Sequence, residues 1–257
     1  MIAAHTIVSI RLYPIKSLDP VEVQSAQIGV GGNLFGDRRF ALFDQYGGLV
    51  NGKREPRLQK IRSRYDITSD RLRLDEGKWF DLQSDRSDLE TILSDMIGYR
   101  IKIKEDNSGA LLDDPTGSHM TIVSTATLLQ VCKWFGWKDM EEARLRFRAN
   151  IEINGVPAFW EDTLFLPGKQ PVACMIGEVK AAGKKPCPRC PVPARDPYTG
   201  EPDIGFQKRF EQLRREYLPS WSSLDSYPHG YHLATTLVIN SGQEGKYIRY
   251  GDEVSLK

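Results

Sequence analysis

Apolar and polar residues alternate over residues 7–12, over 21–28, and again from Arg39 through F-A-L-F-D. Alternation with a period of two predicts strands with one buried face. Pro14 stops the first strand and leaves Lys16 and Ser17 at its end, in Y-P-I-K-S. Glycines 29, 31, 32 and 36 mark a loop, and Q-Y-G-G at 45–48 marks a hairpin turn. The alternation continues over 49–51 and 58–67. Short strands at this spacing predict a small β-barrel in the first third.

The period then changes. Ser87-Asp88-Leu89-Glu90 fits a capping box, Leu89, Ile92, Leu93, Met96 and Ile97 share one helical face, and Gly98 can end the helix. A strand over 100–104 leads into a polar, glycine-containing linker over 106–119. After a short strand at 120–123, Ser124 is expected to cap a helix over 125–135, with Cys132 on its apolar face. R-L-R-F-R-A-N-I-E-I-N-G carries Arg146, Arg148 and Asn150 into a strand and reads equally as a charged strand face. A strand over 172–179 holds Cys174, expected to be buried. Phe206, Phe210, Leu213 and Tyr217 predict an amphipathic helix, residues 221–232 are aromatic and irregular, and strands finish the chain. The class is mainly β with α.

Composition narrows the function. With 257 residues, 40% hydrophobic and 27% charged, the chain suits a folded protein of one large or two small domains. A net charge of +1 gives no global field toward nucleic acid or membrane, so neither is an expected partner. Four cysteines are too few for a disulfide scaffold, and reduced, cytoplasmic thiols are the expectation. No apolar run reaches bilayer-spanning length, and the N-terminus carries no signal-peptide pattern. His119, a lone histidine beside a loop, reads as structural or exposed rather than catalytic.

The chemistry concentrates in K-K-P-C-P-R-C-P-V-P-A-R-D-P-Y-T-G, residues 184–200. Prolines 186, 188, 191 and 193 resist helix, and Lys184, Lys185, Arg189 and Arg195 surround Cys187 and Cys190 with positive charge, which favours thiolate. Four uses compete. A zinc half-site needs two more ligands, and His229 and His232 are spaced more tightly than zinc-finger histidines. A thioredoxin-type pair needs a helix after Cys190, which Pro191 and Pro193 forbid. The two thiols could also lie in a loop without a role. In the fourth use, one thiolate is a soft ligand for a transition metal or metal cofactor. Ser124 and Thr125, at a strand-to-helix junction, are either plain caps or ligands for an anion. Lys16 and Arg38 read by themselves as solvated charges, and Arg57 as a partner of Glu55.

C-P-R-C-x-V-x-x-x-D-P-x-T-G resembles the active-site loop of the MOSC domain, named for the molybdenum cofactor sulfurase C-terminus, in the version found in the mitochondrial amidoxime-reducing component and its bacterial relatives. Y-P-I-K-S, G-D-R-R-F, K-R-E-P-R-L and F-W-E-D-T match as well, and Ala149 stands where Phe-Arg-Pro-Asn has proline. The resemblance implies a MOSC-type, pyruvate kinase-like β-barrel over 106–257 and a smaller N-terminal barrel over 1–105. It implies a molybdenum cofactor (molybdopterin) with Cys190 as the molybdenum ligand and catalytic centre. It places cofactor contacts at Lys16, Ser17, Arg38, Ser124, Thr125, Arg148, Asn150 and Arg189. The implied reaction is reduction of N-oxygenated compounds such as amidoximes. With no redox domain such as the iron–sulfur domain of some bacterial relatives expected in this sequence, a separate electron-donor protein is expected. Pyridoxal phosphate binding comes only as a family-level association. A sulfur carrier using a Cys190 persulfide, or a non-catalytic cofactor-binding module, are the competing readings.

Overall fold

The computed structural model describes residues 5–106, 111, 120–165, 171–222 and 230–257. Most of the expected linker over 106–119, together with His119 and His229, lies outside them. The described strands are β1 (Thr6–Leu12), β2 (Val21–Glu22), β3 (Ser25–Gln27), β4 (Phe40–Asp44), β5 (Leu49–Val50), β6 (Ser63–Asp66), β7 (Arg71–Leu74), β8 (Trp79–Asp81) and β9 (Ile101–Glu105) in the first part. In the second they are β10 (Met120–Ser124), β11 (Ile151–Asn154), β12 (Ala173–Ile176), β13 (Val179–Pro188), β14 (His232–Ile239), β15 (Tyr247–Arg249) and β16 (Val254–Leu256). The helices are α1 (Arg86–Ile97), α2 (Thr125–Phe135), α3 (Met140–Phe147) and α4 (Phe206–Glu216).

Eight of the described strands form one sheet in the order β16-β12-β13-β14-β10-β11-β1-β2. The sheet curls until its ends meet. Thr6 bridges Glu253, Ile7 N donates to Asp252 O at 2.9 Å, and Val254 N donates to His5 O at 2.7 Å. This contact joins β1 to the start of β16 and closes a barrel, which removes exposed sheet edges. Ile7, Ile10, Ile122, Ile151, Ile153, Cys174, Ile176 and Val179 fill it. The sole parallel pair in the sheet's described ladders, β10 with β11, is the one joined by helices, α2 and α3, as a parallel connection requires.

A second core lies under β4, β5, β7, β8, β9 and α1, around Phe40, Leu42, Leu72, Phe80, Leu89 and Leu93. The expected division at 105/106 and strand pairing do not coincide: β1 pairs with β11, and β3 with β15. The N-terminal strand is thus a stave of the second barrel before the chain enters its own core.

Several local expectations change. Residues 58–67 begin as a 3-10 turn, Pro56–Lys60, before β6. The capping box at 87–90 does not form: Asp85 is the N-cap residue, and the Glu90 carboxylate accepts from Ile103 N at 2.9 Å and from Lys102 Nζ. Arg144 to Phe147 belong to α3 rather than a strand. The Ser124 cap does form, with its Oγ accepting from Thr127 N at 3.0 Å.

Candidate functional site

Between the two cores opens a cleft of about 420 Å³. Its walls come from the chain after β1 (Lys16, Ser17, Asp19), Arg38 before β4, the turn after β5 (Asn51, Gly52, Lys53), the end of α3 (Arg146, Arg148), and β13 with its sequel (Lys185, Cys187, Arg189, Cys190). Among the described residues, eight that line it are Lys or Arg and one, Asp19, is an acid. Such walls focus a positive potential on anything that enters.

β13 delivers the thiols. The expected loop at 184–188 is in fact strand, made possible by register shifts at Gly183/Lys185 and Pro186/Pro188. These irregularities accommodate residues that cannot donate to a ladder. Lys185 and Cys187 then face the cleft, while Pro191 starts the 3-10 turn Val192–Ala194. Cys187 and Cys190 are both partly exposed in the cleft wall. Cys132 and Cys174 are buried as expected, and burial pushes the Cys174 thiol up to about 11, so it stays an inert core thiol.

Lys16 is buried, and its Nζ donates to Leu111 O at 3.1 Å. The Ser17 hydroxyl accepts from Gly52 N at 3.0 Å. Arg38 pairs with buried Asp37 and donates to Asn150 Oδ1 at 3.3 Å. Arg148 donates to Leu18 O at 2.8 Å and forms no ion pair among the described residues. Burial holds its guanidinium below the ordinary value. Ser17, Arg38 and Arg148 have φ of 73°, 49° and 49°. They are three of the seven non-glycine residues with positive φ among those described. Left-handed backbone costs an ordinary side chain about 1 kcal/mol or more, and strain collecting in one cleft is a mark of a functional site.

Four expected contacts have other occupations. Ser124 is fully buried as the α2 cap. Thr125 Oγ1 donates to Glu152 Oε1 at 2.7 Å. Neither lines the cleft. Asn150 is buried and donates to Arg11 O and Asp37, so it holds Arg38 from behind. Arg189 lines the wall, but its guanidinium turns inward to the carbonyls of Leu233 and Phe147. Sequence reading missed Lys53, Arg62 and Asp19 as cleft residues, and had Lys185 only as charge near the thiols. Lys53 lay inside a quoted motif, whereas Arg62 carried no signal beyond its charge. Arg57 pairs with Glu55 as expected, at 2.7 Å.

The D-P-Y-T-G end of the motif is a turn. Asp196 Oδ1 accepts from Tyr198 N and Thr199 N, and Gly200 (φ 75°) presses on Pro56 O. Arg62 donates to Pro197 O at 3.0 Å. The motif therefore fastens the cysteine wall to the facing part of the chain. Of the F-W-E-D-T acids, Asp162 holds an arginine, but it is Arg214 and not one in the cleft. For the zinc reading, no group of three or more His, Cys, Asp or Glu side chains suited to a metal occurs among the described residues. No described helix is long and apolar enough to cross a membrane.

No curated protein matches the chain. A crystal structure of the YuaD protein from Bacillus subtilis is similar over 97% of this chain and 94% of that one, at 12% identity and a TM-score of 0.42. The family description "MOSC N-terminal beta barrel domain" matches residues 4–109 and "MOSC domain" matches residues 117–255. With both matches together covering nearly its whole length, the chain belongs to the MOSC domain family.

Proposed function

We propose that the cleft holds a molybdenum cofactor and that the protein reduces N-oxygenated compounds. One observation carries the reading: Cys190, partly exposed, shares a cleft with eight cations and a single acid among the described residues. The donor set fits the group. A thiolate is a soft ligand suited to a transition metal, and Arg148, desolvated and without a carboxylate partner among the described residues, suits a phosphate, which arginine can bind through two donors.

When bound, the cofactor supplies two-electron redox chemistry at molybdenum. The chain's own residues do the rest. Cys190 holds the metal, and Lys16, Ser17, Arg38 and Arg148 hold the pterin and its phosphate. Asn150 and Asp37 keep Arg38 aimed. Asp19, whose carboxyl pKa is raised by burial against the pull of Arg62, is the cleft's one acidic group among the described residues. The reduction of N-hydroxylated amines or amidoximes follows from likeness to the amidoxime-reducing component, and electrons then come from a separate donor protein.

Cys190→Ser, made in a host that synthesises molybdopterin, is expected to lower molybdenum content or reductase activity by about tenfold or more, as loss of a metal ligand should. Cys187→Ser should do less. Elemental analysis and turnover of an N-hydroxylated amidine check both. Normal activity in Cys190→Ser removes the ligand assignment. A one-sulfur mass increment on Cys190 without molybdenum would favour the sulfur carrier, and tight cofactor binding without turnover would favour a binding module.

A further inference from the structure

Tyr13 has no role in the reading above, yet it touches both arginines and Asp37, the acid that pairs with Arg38. It is fully buried. Its N–H donates to Asp37 Oδ1 at 2.8 Å, and its carbonyl accepts from Arg38 N at 2.9 Å. Its hydroxyl donates to Ala149 O at 3.2 Å, between Arg148 and Asn150. Its ring lies 4.7 Å from the Arg38 guanidinium and 4.1 Å from that of Arg148. One residue thus ties together three stretches far apart in sequence, residues 13, 37–38 and 148–150, its backbone holding Asp37 and Arg38 and its side chain touching Arg38, Arg148 and Ala149. At both arginines it does so where the backbone is left-handed.

The charges are uneven. Asp37 offsets Arg38, and no ion pair offsets Arg148 among the described residues. Two guanidinium groups on one ring repel each other, and the ring's π face is what lets them share the space. Something anionic between them completes the balance. We infer that Tyr13 is a positioning residue whose ring sets the spacing of Arg38 and Arg148 into a two-pronged clamp for a phosphate-type anion. This rests on the cleft being an anion-binding site, as the proposed function requires, and not on molybdenum or turnover. The aromatic face does the positioning, and the hydroxyl adds only a tether.

The test uses the full chain made in a host unable to synthesise molybdopterin, with inorganic pyrophosphate as the probe, by calorimetry. Wild type should bind it, and Arg148→Gln should bind it more weakly by about tenfold or more. Tyr13→Phe keeps the ring and should stay within about threefold of wild type, whereas Tyr13→Leu should lose about tenfold with its urea unfolding midpoint near that of Tyr13→Phe. If Tyr13→Leu does not fold, pentafluorophenylalanine at position 13 replaces it. That residue keeps the shape of Phe and reverses the ring's electrostatics, so it should bind pyrophosphate about fivefold or more weakly than Tyr13→Phe. The inference is overturned by wild-type affinity in a folded Tyr13→Leu, by equal affinity of Phe and its fluorinated analogue, or by pyrophosphate binding that ignores Arg148. Failure of the reductase reading would show instead as absent molybdenum or absent turnover in protein made in a molybdopterin-synthesising host, with pyrophosphate binding intact.

Discussion

Gly183→Ala is expected to destabilise the protein by on the order of 4 kcal/mol, read as a fall in the urea midpoint. A Cβ at this position would sit 1.9 Å from the Leu164 carbonyl oxygen and 2.6 Å from its carbon. Those are backbone atoms, so no rotamer change relieves the clash. Gly183 N also donates to Val172 O at 3.0 Å, which pins β13 on its other side. Leu164 ends the 3-10 turn Trp160–Leu164, packed against β10, β13 and β14. Either that turn lifts off or β13 moves. Movement of β13 starts two residues before Lys185 and four before Cys187, so the cleft wall moves with it. Residual folded Gly183→Ala should therefore also bind cofactor or pyrophosphate poorly. A wild-type midpoint in this variant would mean the close approach is not a constraint of the fold.

That glycine illustrates what the sequence conveyed and what it concealed. The strand β1 announced itself by alternation, although Ser9 to Leu12 are all buried, and α1, α2 and α4 announced themselves by an apolar stripe. The helix α3 did not. M-E-E-A-R-L-R-F buries Ala143, Phe147 and also Arg146. Arg146 is acceptable there because Glu142 and the Pro193 carbonyl satisfy it, partners that no helical pattern reveals. The false capping box at Ser87 fails for a related reason. Glu90 is worth more to the edge of β9, where it accepts Ile103 N, than to its own helix terminus.

The site was legible as a motif but not as a geometry. Cys190 stood out from prolines and basic neighbours within a few residues. Lys16, Arg38 and Arg148 are separated by up to 132 positions and had no local signal beyond the family pattern. Pairing of β1 with β11 brings the chain after β1 and the end of α3 together, and so creates the cleft. The reverse error is Arg189. Adjacent to the thiol in sequence, it spends its guanidinium on the carbonyls of Phe147 and Leu233, because a buried polar backbone needs donors. Sequence proximity predicts charge near a thiol, whereas hydrogen-bond demand decides where the charge points.

The same demand makes Glu161 a pH-sensitive point in the fold. It sits fully buried in the 3-10 turn that presses on Gly183. Burial, followed by the charge of Asp162, pushes its carboxyl up to about 7. Its own backbone N–H, the Thr127 hydroxyl and Arg214 pull the other way. Arg214 is already engaged by Asp162, and the Thr127 hydroxyl is bonded to Ser124 and Phe159 N. In the unfolded chain Glu161 titrates near 4.5. Between about 4.5 and 7 the native state therefore keeps a proton that the unfolded state has released. This stabilising contribution is complete below the lower value and is lost as pH rises through the upper one. A difference of that size corresponds to about 3 kcal/mol. Unfolding free energies of wild type should thus fall by about 2–3 kcal/mol more than those of Glu161→Gln between pH 5 and pH 8, with Glu161→Gln the more stable at pH 8. Parallel pH profiles for the two proteins would mean that Glu161 is ionised in the native state throughout. In that case the turn behind the cysteine wall would carry two adjacent negative charges against the one guanidinium of Arg214, an arrangement that buried carboxylates avoid.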